Sequence, residues 1–441
     1  MNLLSGAWPA PLQPARGEEN GSGTFSCRCL GQILCGLGIL LRYRPLGGRD
    51  PTAACACHGG FLNHLSPPST LLVNARRIVI KIGSAQLIDR VTGRANMGCF
   101  HALALDIAGL RQRGVEVVLV SSGAVALGRP RLNLPASRKL RLDEKQAAAA
   151  AGQTVMIQTW DQAFTAHGFH AAQALLSPSD TENRRRWLNS RTTLETLLQL
   201  GAVPVVNEND TVATEELRYG DNDRLAARVA QLVSADLLVI LSDVDGLYDA
   251  DPSTHPGAAH IPTVDAITPE IVALAGPARL SGAGTGGMAT KLAAAEMAMA
   301  AGCSAVITRG DGERPVSALI EGARATWFRA SVSPASAKRV WISGSLAVTG
   351  RLHLDDGATR AVKTGRSLLA AGINAVEGNF DRGGAIRLVD PTGQAFATAL
   401  AGYDSHECRL IAGKQSDAIE AALGYRRGAA LVHADDLVLD P

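Results

Sequence analysis

From Arg76 onward, short runs of β-branched and aliphatic residues alternate with longer stretches whose apolar positions recur at helical spacing. This is the pattern of βαβ units and of a parallel sheet covered on both faces. The runs predict strands over residues 78–82, 115–121, 171–176, 203–207, 237–241 and 305–308. Between them the spacing predicts helices over 97–113, 143–167, 182–200, 223–234, 269–275 and 288–300. Ser179 with Asp180, and Asp221 with Asn222, stand where N-caps belong. Residues 73–330 therefore read as one α/β domain, a three-layer αβα sandwich around a mainly parallel sheet. Past Ser333-Pro334 the texture changes to Val340-Trp341-Ile342, Leu352-His353-Leu354 and glycine turns at Gly357, Gly365, Gly372, Gly378 and Gly383-Gly384. Short strands punctuated this way predict a small β-rich barrel over residues 338–441. No internal repeat links the two parts.

Composition adds a third segment. The chain has 441 residues, 46% of them hydrophobic and 19% charged, which excludes disorder throughout and supplies enough apolar material for two domains. Glycine and proline crowd into the first seventy residues, and so do five of the eight cysteines: Cys27, Cys29, Cys35, Cys55 and Cys57. Each close cysteine pair there has one intervening residue, where structural zinc sites use two to four, so a zinc module is disfavoured. Residues 1–72 read as a disordered or non-native extension that cannot bury enough surface to order itself. Translation from a non-Met start near Leu71 to Val73 would remove it altogether. The apolar stretch over 30–41 is broken by glycines and is far shorter than the roughly 20 residues of a membrane span. Mixed residues including Glu18 and Glu19 precede it, unlike a secretory leader. The expectation is a cytoplasmic protein with reduced thiols and no membrane partner. Net charge is +2 and lies entirely in the extension. Nothing marks the body as a polyanion-coating protein.

The candidate chemistry sits at strand ends. Ile78-Val79-Ile80-Lys81-Ile82-Gly83-Ser84 is an apolar strand delivering a lysine to its carboxyl end, where open α/β sheets bind ligands. An unpaired charge buried in such a strand costs several kcal/mol, so Lys81 reads as functional. Ser121-Ser122-Gly123-Ala124 offers a hydroxyl and a helix N-terminus, a weak signal by itself. Asn207-Glu208-Asn209-Asp210 and Gly220-Asp221-Asn222-Asp223 carry more carboxylates than a turn and a cap require, which implies a cationic partner: Lys81, a second lysine or a metal ion. Gly282-Ala283-Gly284-Thr285-Gly286-Gly287-Met288-Ala289-Thr290-Lys291 supplies that second lysine, one turn into a helix behind a phosphate-cradling loop. Its glycines match the dinucleotide spacing, but no strand precedes them, and the P-loop glycine before Lys291 is absent. Ser242-Asp243-Val244-Asp245-Gly246-Leu247-Tyr248 has the wrong register for calcium and fits a nucleoside-contacting loop.

Taken in order, these motifs resemble the amino-acid-kinase family from about residue 76, and Gly357-Ala358, Gly378-Asn379-Phe380 and Ala422-Leu423-Gly424-Tyr425 resemble a C-terminal PUA domain. The resemblance implies ATP-dependent phosphorylation of the γ-carboxylate of L-glutamate to γ-glutamyl phosphate, the first step of L-proline biosynthesis, with proline as feedback inhibitor. It implies Lys81, Lys291 and Asp223 as catalytic residues, Asp223 holding the two lysines. It assigns Ser122, Asp210 and Asn222 to glutamate. Lys81, Ser242, Asp243, Thr285, Gly286, Gly287, Met288, Ala289, Thr290 and Lys291 fall to ATP, with Mg²⁺ carried by the nucleotide and no protein metal ligand. A homo-oligomer and hand-off to glutamyl-phosphate reductase are implied as well. Related kinases for acetylglutamate, aspartate or a nucleoside monophosphate are the rivals, and Asp210, suited to a free α-ammonium, favours glutamate. PUA domains often bind RNA, yet residues 338–441 hold 12 basic and 12 acidic residues, which lacks the electrostatic footprint.

Overall fold

The computed structural model describes residues 69–89, 92–135, 138–212, 222–276, 287–344, 347–425 and 430–440. The extension read from the sequence lies outside these residues up to position 68. The first helix among the described residues is α1 (Thr70–Asn74), whose Leu72 is fully buried in the core. The apolar run after it forms β1 (Arg77–Ile82), followed by α2 (Ser84–Leu87), α3 (Met97–Gln112), β2 (Glu116–Ser121), α4 (Ala124–Arg131) and α5 (Leu142–Thr165). Next come β3 (Ala171–Leu176), α6 (Pro178–Glu182), α7 (Arg184–Gln199), β4 (Val203–Glu208), α8 (Asn222–Leu232) and β5 (Leu237–Ser242). Short strands β6 (Leu247–Tyr248), β7 (His260–Ile261) and β8 (Thr263–Val264) precede α9 (Pro269–Ala273) and α10 (Met288–Ala300). β9 (Ser304–Arg309), α11 (Ser317–Ile320) and β10 (Ala325–Phe328) close the domain.

Eight strands form one sheet in the order β3-β4-β2-β1-β5-β9-β10-β8. The six long strands run parallel, and β10 turns antiparallel against β9. Side chains alternate across the pleat, so β1 serves two cores. Ile78, Ile80 and Ile82 pack with Phe100, Ile107, Trp160 and Phe164 of α3 and α5. Val79 packs on the opposite face with Leu225, Val229 and Leu292 of α8 and α10. By the same alternation Lys81 faces α8 and α10. Since β2 and β5 flank β1 and chain order diverges on its two sides, β1 marks the switch point where α/β folds open a ligand crevice.

The helix read over 182–200 is divided in the structure. The stretch expected as one helix over 182–200 begins earlier, at α6, where the Ser177 backbone N–H donates to Asp180 Oδ2 at 2.7 Å. It restarts at Asn183, whose Oδ1 accepts from the Arg186 N–H at 3.1 Å, so two caps divide it. α4 starts where the sequence places a helix N-terminus after Gly123, although Gly128 and Pro130 lower helix propensity along it. Packing overrides propensity: a Cβ on Gly128 would lie 1.7 Å from the Ala148 carbonyl oxygen, and one on Gly152 would lie 1.8 Å from that of Ala124. The backbones of α4 and α5 touch, and only glycine permits it.

The C-terminal part begins with α12 (Pro334–Gly344), then β11 (Val348–Leu354), α13 (Asp356–Lys363), β12 (Leu368–Leu369), β13 (Ile373–Gly378) and β14 (Ala385–Val389). β15 (Ala395–Leu400), α14 (Ser405–Ile411), α15 (Ala418–Leu423), β16 (Ala430–Val432) and β17 (Leu437–Leu439) complete it. Its sheet runs β13-β11-β14-β15-β17, with β12 and β16 paired apart. Leu352, Leu388, Tyr403, Ile411 and Leu431 form its own core. Val340-Trp341-Ile342, expected in a strand, lies in α12: Pro334 starts a helix that sets Trp341 against Trp187 of α7, ring centroids 6.1 Å apart. A buried charge cluster joins the same elements. Arg191 of α7 is 6% exposed. Its Nη1 and the Lys338 ammonium of α12 both reach Asp436 Oδ1, at 2.5 and 2.7 Å, while Arg191 Nε donates to Glu195 at 2.8 Å.

Candidate functional site

α4 follows β2, and α8 and α10 precede strands parallel to β1, so all three helix N-termini lie at the carboxyl edge of the sheet. Gly123, at φ 105°, turns the chain from β2 into α4, and no side chain caps that helix. Gly287 opens α10, also without a side-chain cap. Their first N–H groups are therefore left for an anion.

Asp223, in the first turn of α8, is wholly buried. Its Oδ1 lies 2.5 Å from the Lys81 ammonium, and its Oδ2 lies 3.1 Å from that of Lys291. Both lysines are buried too, so three charged groups from β1, α8 and α10 meet out of water. Burial pushes the Asp223 carboxyl up, but Lys81 and Lys291 outweigh it and hold the group below its usual value. The carboxylate neutralises one ammonium of the two. A net positive charge remains, suited to a phosphoryl group.

Beside this triad, Asn222 Nδ2 donates to Ser122 Oγ and Asn207 Oδ1, each at 2.8 Å, with the Ser121 carbonyl at 3.2 Å. Its two protons are thereby committed, and its Oδ1 is left to accept from a ligand. Asn207 is 3% exposed at the end of β4. The sequence reading noticed it within a polar cluster but gave it no role; its place on a buried strand was the signal. Asp210 follows the same strand. Ser242 ends β5 and donates to Asp243 Oδ1 at 3.0 Å. Thr290 donates to the Gly287 carbonyl at 2.8 Å and stands 3.4 Å from Asp223 Oδ2. Met288 and Ala289 are in the first turn of α10. Thr285 and Gly286, with the glycines before them and Gly220-Asp221, lie outside the described residues.

The residue pattern of the amino acid kinase family matches residues 76–309, and that of the PUA domain matches residues 350–423. Glutamate 5-kinase of Caulobacter vibrioides is 57% identical over 366 residues, 83% of this chain and 97% of that protein. Glutamate 5-kinase 1 of Rhizobium meliloti is 53% identical over 368 residues, 83% of this chain and 93% of that protein. Glutamate 5-kinase of Rhodospirillum rubrum is 54% identical over 362 residues, 82% and 96% of the two chains. Among solved structures, carbamate kinase from Giardia lamblia bound to AMP-PNP overlaps 58% of this chain and 99% of its own, at 17% identity and a TM-score of 0.42.

Proposed function

The chain belongs to the amino acid kinase family and carries a PUA domain, and from that premise we propose that it phosphorylates the γ-carboxylate of L-glutamate with ATP. The observation that carries this reading is the pair of buried ammonium groups held on one buried carboxylate at the carboxyl edge of the sheet. A γ-carboxylate oxygen attacks the terminal phosphorus of ATP. The bond to the β–γ bridging oxygen breaks, its electron pair leaves with ADP, and γ-glutamyl phosphate remains. The nucleophile is already an anion, so no general base is required. What the reaction needs is alignment and positive charge around the transferring group.

Lys81 and Lys291 supply that charge from two sides, and Asp223 fixes their separation. Ser122, Asp210 and Asn222 hold glutamate, with Asn222 Oδ1 and the Asp210 carboxylate accepting from its α-ammonium. Ser242, Asp243 and residues 285–291 hold ATP, the uncapped start of α10 facing its phosphates. Mg²⁺ bound to the nucleotide would spread the developing charge further.

Cytoplasmic placement is supported by the free thiols Cys99, Cys303 and Cys408. Among the described residues no helix is long and apolar enough to cross a membrane. Feedback inhibition by proline, assembly as a homo-oligomer and hand-off to glutamyl-phosphate reductase complete the reading and rest on the resemblance alone.

An assay of ADP release across L-glutamate, N-acetylglutamate, aspartate and UMP tests it: turnover is expected with L-glutamate only. Asp210→Ala is expected to raise the glutamate KM with little change in kcat. Equal activity of the parent on N-acetylglutamate would remove the ammonium contact from the account.

A further inference from the structure

β10 runs antiparallel to β9, so it starts at the carboxyl edge of the sheet, where β5 ends at Ser242. Thr326 is its second residue and is wholly buried. Phe328, on the same face of the pleat, packs with Leu247 and Val264 in the core that also holds Leu225. Valine would fill such a place as well as threonine does, so the buried hydroxyl calls for its own explanation. Thr326 Oγ1 accepts from the Leu247 N–H at 2.7 Å and donates to the Ile261 carbonyl at 2.6 Å. One hydroxyl thereby joins β10 to β6 and to its partner β7.

The turn between β5 and β6 rests on that hydroxyl. Gly246 sits at φ 144°, and a Cβ there would lie 2.6 Å from both Thr326 Oγ1 and His260 Nε2. No side chain fits between them, so Thr326 sets how closely the turn approaches β10. A second hold comes from Tyr248, which donates to Asp245 Oδ1 at 2.9 Å and accepts from Arg324 Nη1 at 3.2 Å. At the other end of the turn the Ser242 carbonyl accepts from the Gly310 N–H at 2.8 Å. Asp243, assigned to ATP together with Ser242, lies between these anchors.

We propose that Thr326 is a positioning residue for the nucleotide, its hydroxyl fixing the β5–β6 turn and, through it, the Ser242–Asp243 pair. The inference rests on the kinase reading and deepens it. Without the hydroxyl, the Leu247 N–H and the Ile261 carbonyl lose a buried partner, and the turn must shift to satisfy them. The effect is asymmetric, because the residues assigned to glutamate follow β2 and β4 or open α8 and do not touch this turn.

Thr326→Val keeps the shape of the side chain and deletes the hydroxyl. Calorimetric titration of AMP-PNP with Mg²⁺ into the full chain, without glutamate, is expected to show about tenfold weaker binding in Thr326→Val and near-parental binding in Thr326→Ser. In steady state the ATP KM should rise about tenfold in Thr326→Val while the glutamate KM stays within about twofold. Gly246→Ala pushes the same turn off the hydroxyl from the other side, and its AMP-PNP affinity should fall in the same way if Thr326→Val does not fold. The AMP-PNP titration needs no acceptor, so it holds whichever substrate is phosphorylated. A parent that does not bind AMP-PNP would overturn the kinase reading and this role with it. Parental affinity in Thr326→Val, equal rises in both KM values, or no recovery in Thr326→Ser would overturn the positioning role alone.

Discussion

Three side chains carry the proposed chemistry, and the structure makes them interdependent. Lys291→Met should lower kcat by about 10²–10³-fold while leaving the glutamate KM within a few fold, because the charge acts on the transition state. Steady-state kinetics at saturating ATP would show this, and an unchanged kcat would remove Lys291 from the reaction. Asp223 also bears on stability. Its carboxyl is held below its usual value by the two lysines despite burial. A group depressed in the folded state stabilises above its unfolded pKa and loses that contribution as pH falls through the folded one. Asp223→Asn should therefore cost about 3–5 kcal/mol at neutral pH, where two buried ammonium groups lose their counter-charge. The deficit relative to the parent should narrow as pH drops below about 4. Denaturant unfolding from pH 3 to 8 would reveal the trend, and a pH-independent deficit would contradict it. Lys81 was legible because a charge in an apolar strand is hard to explain structurally, Lys291 because it follows a glycine-rich loop into a helix, and Asp223 because its segment carries more carboxylates than a cap requires. Thr326 was not, since a threonine in a short apolar run looks like packing until its hydrogen-bond partners are known.

At the level of elements, the long parallel strands were legible because both their faces are buried, which leaves uninterrupted runs such as Val203–Glu208. β8 and β10 were not. They are two and four residues long, and pairing partners rather than composition define them. The start of α4 was legible at Gly123 but its extent was not: its glycine and proline argue against helix, whereas a backbone contact with α5 demands the glycine. That contact fixes where α4 begins, and so where Ser122 sits. Gly152→Ala is expected to separate the helices by forcing a methyl group into the Ala124 carbonyl. It should cost about 1–3 kcal/mol or more through overpacking. Thermal unfolding should register a lower midpoint, with a raised glutamate KM in whatever folds. A variant with parental stability and KM would show that α4 moves freely, contrary to the packing described.

Across the whole molecule, the charge cluster on Asp436 ties α7 of the kinase domain to α12 and the C-terminal turn. Burial raises the Asp436 carboxyl, but Arg191 and Lys338 prevail and hold it low. Asp436→Asn should leave those two cations poorly compensated and loosen the PUA domain from α7. Calorimetry should then resolve a C-terminal transition that melts ahead of the kinase domain, where the parent melts as one. A single transition in the variant would mean that the Trp187–Trp341 contact suffices. Nothing in the sequence predicted this link, because Arg191 and Asp436 read as ordinary surface charges until they are brought together. The Lys81–Asp223–Lys291 junction has a consequence of another kind, in time. Its members come from the first strand, a middle helix and a late helix, so a chain emerging from the ribosome remains catalytically silent until most of the kinase domain has been made. Truncated products of interrupted synthesis would lack one ammonium or its anchor, and so could not spend ATP.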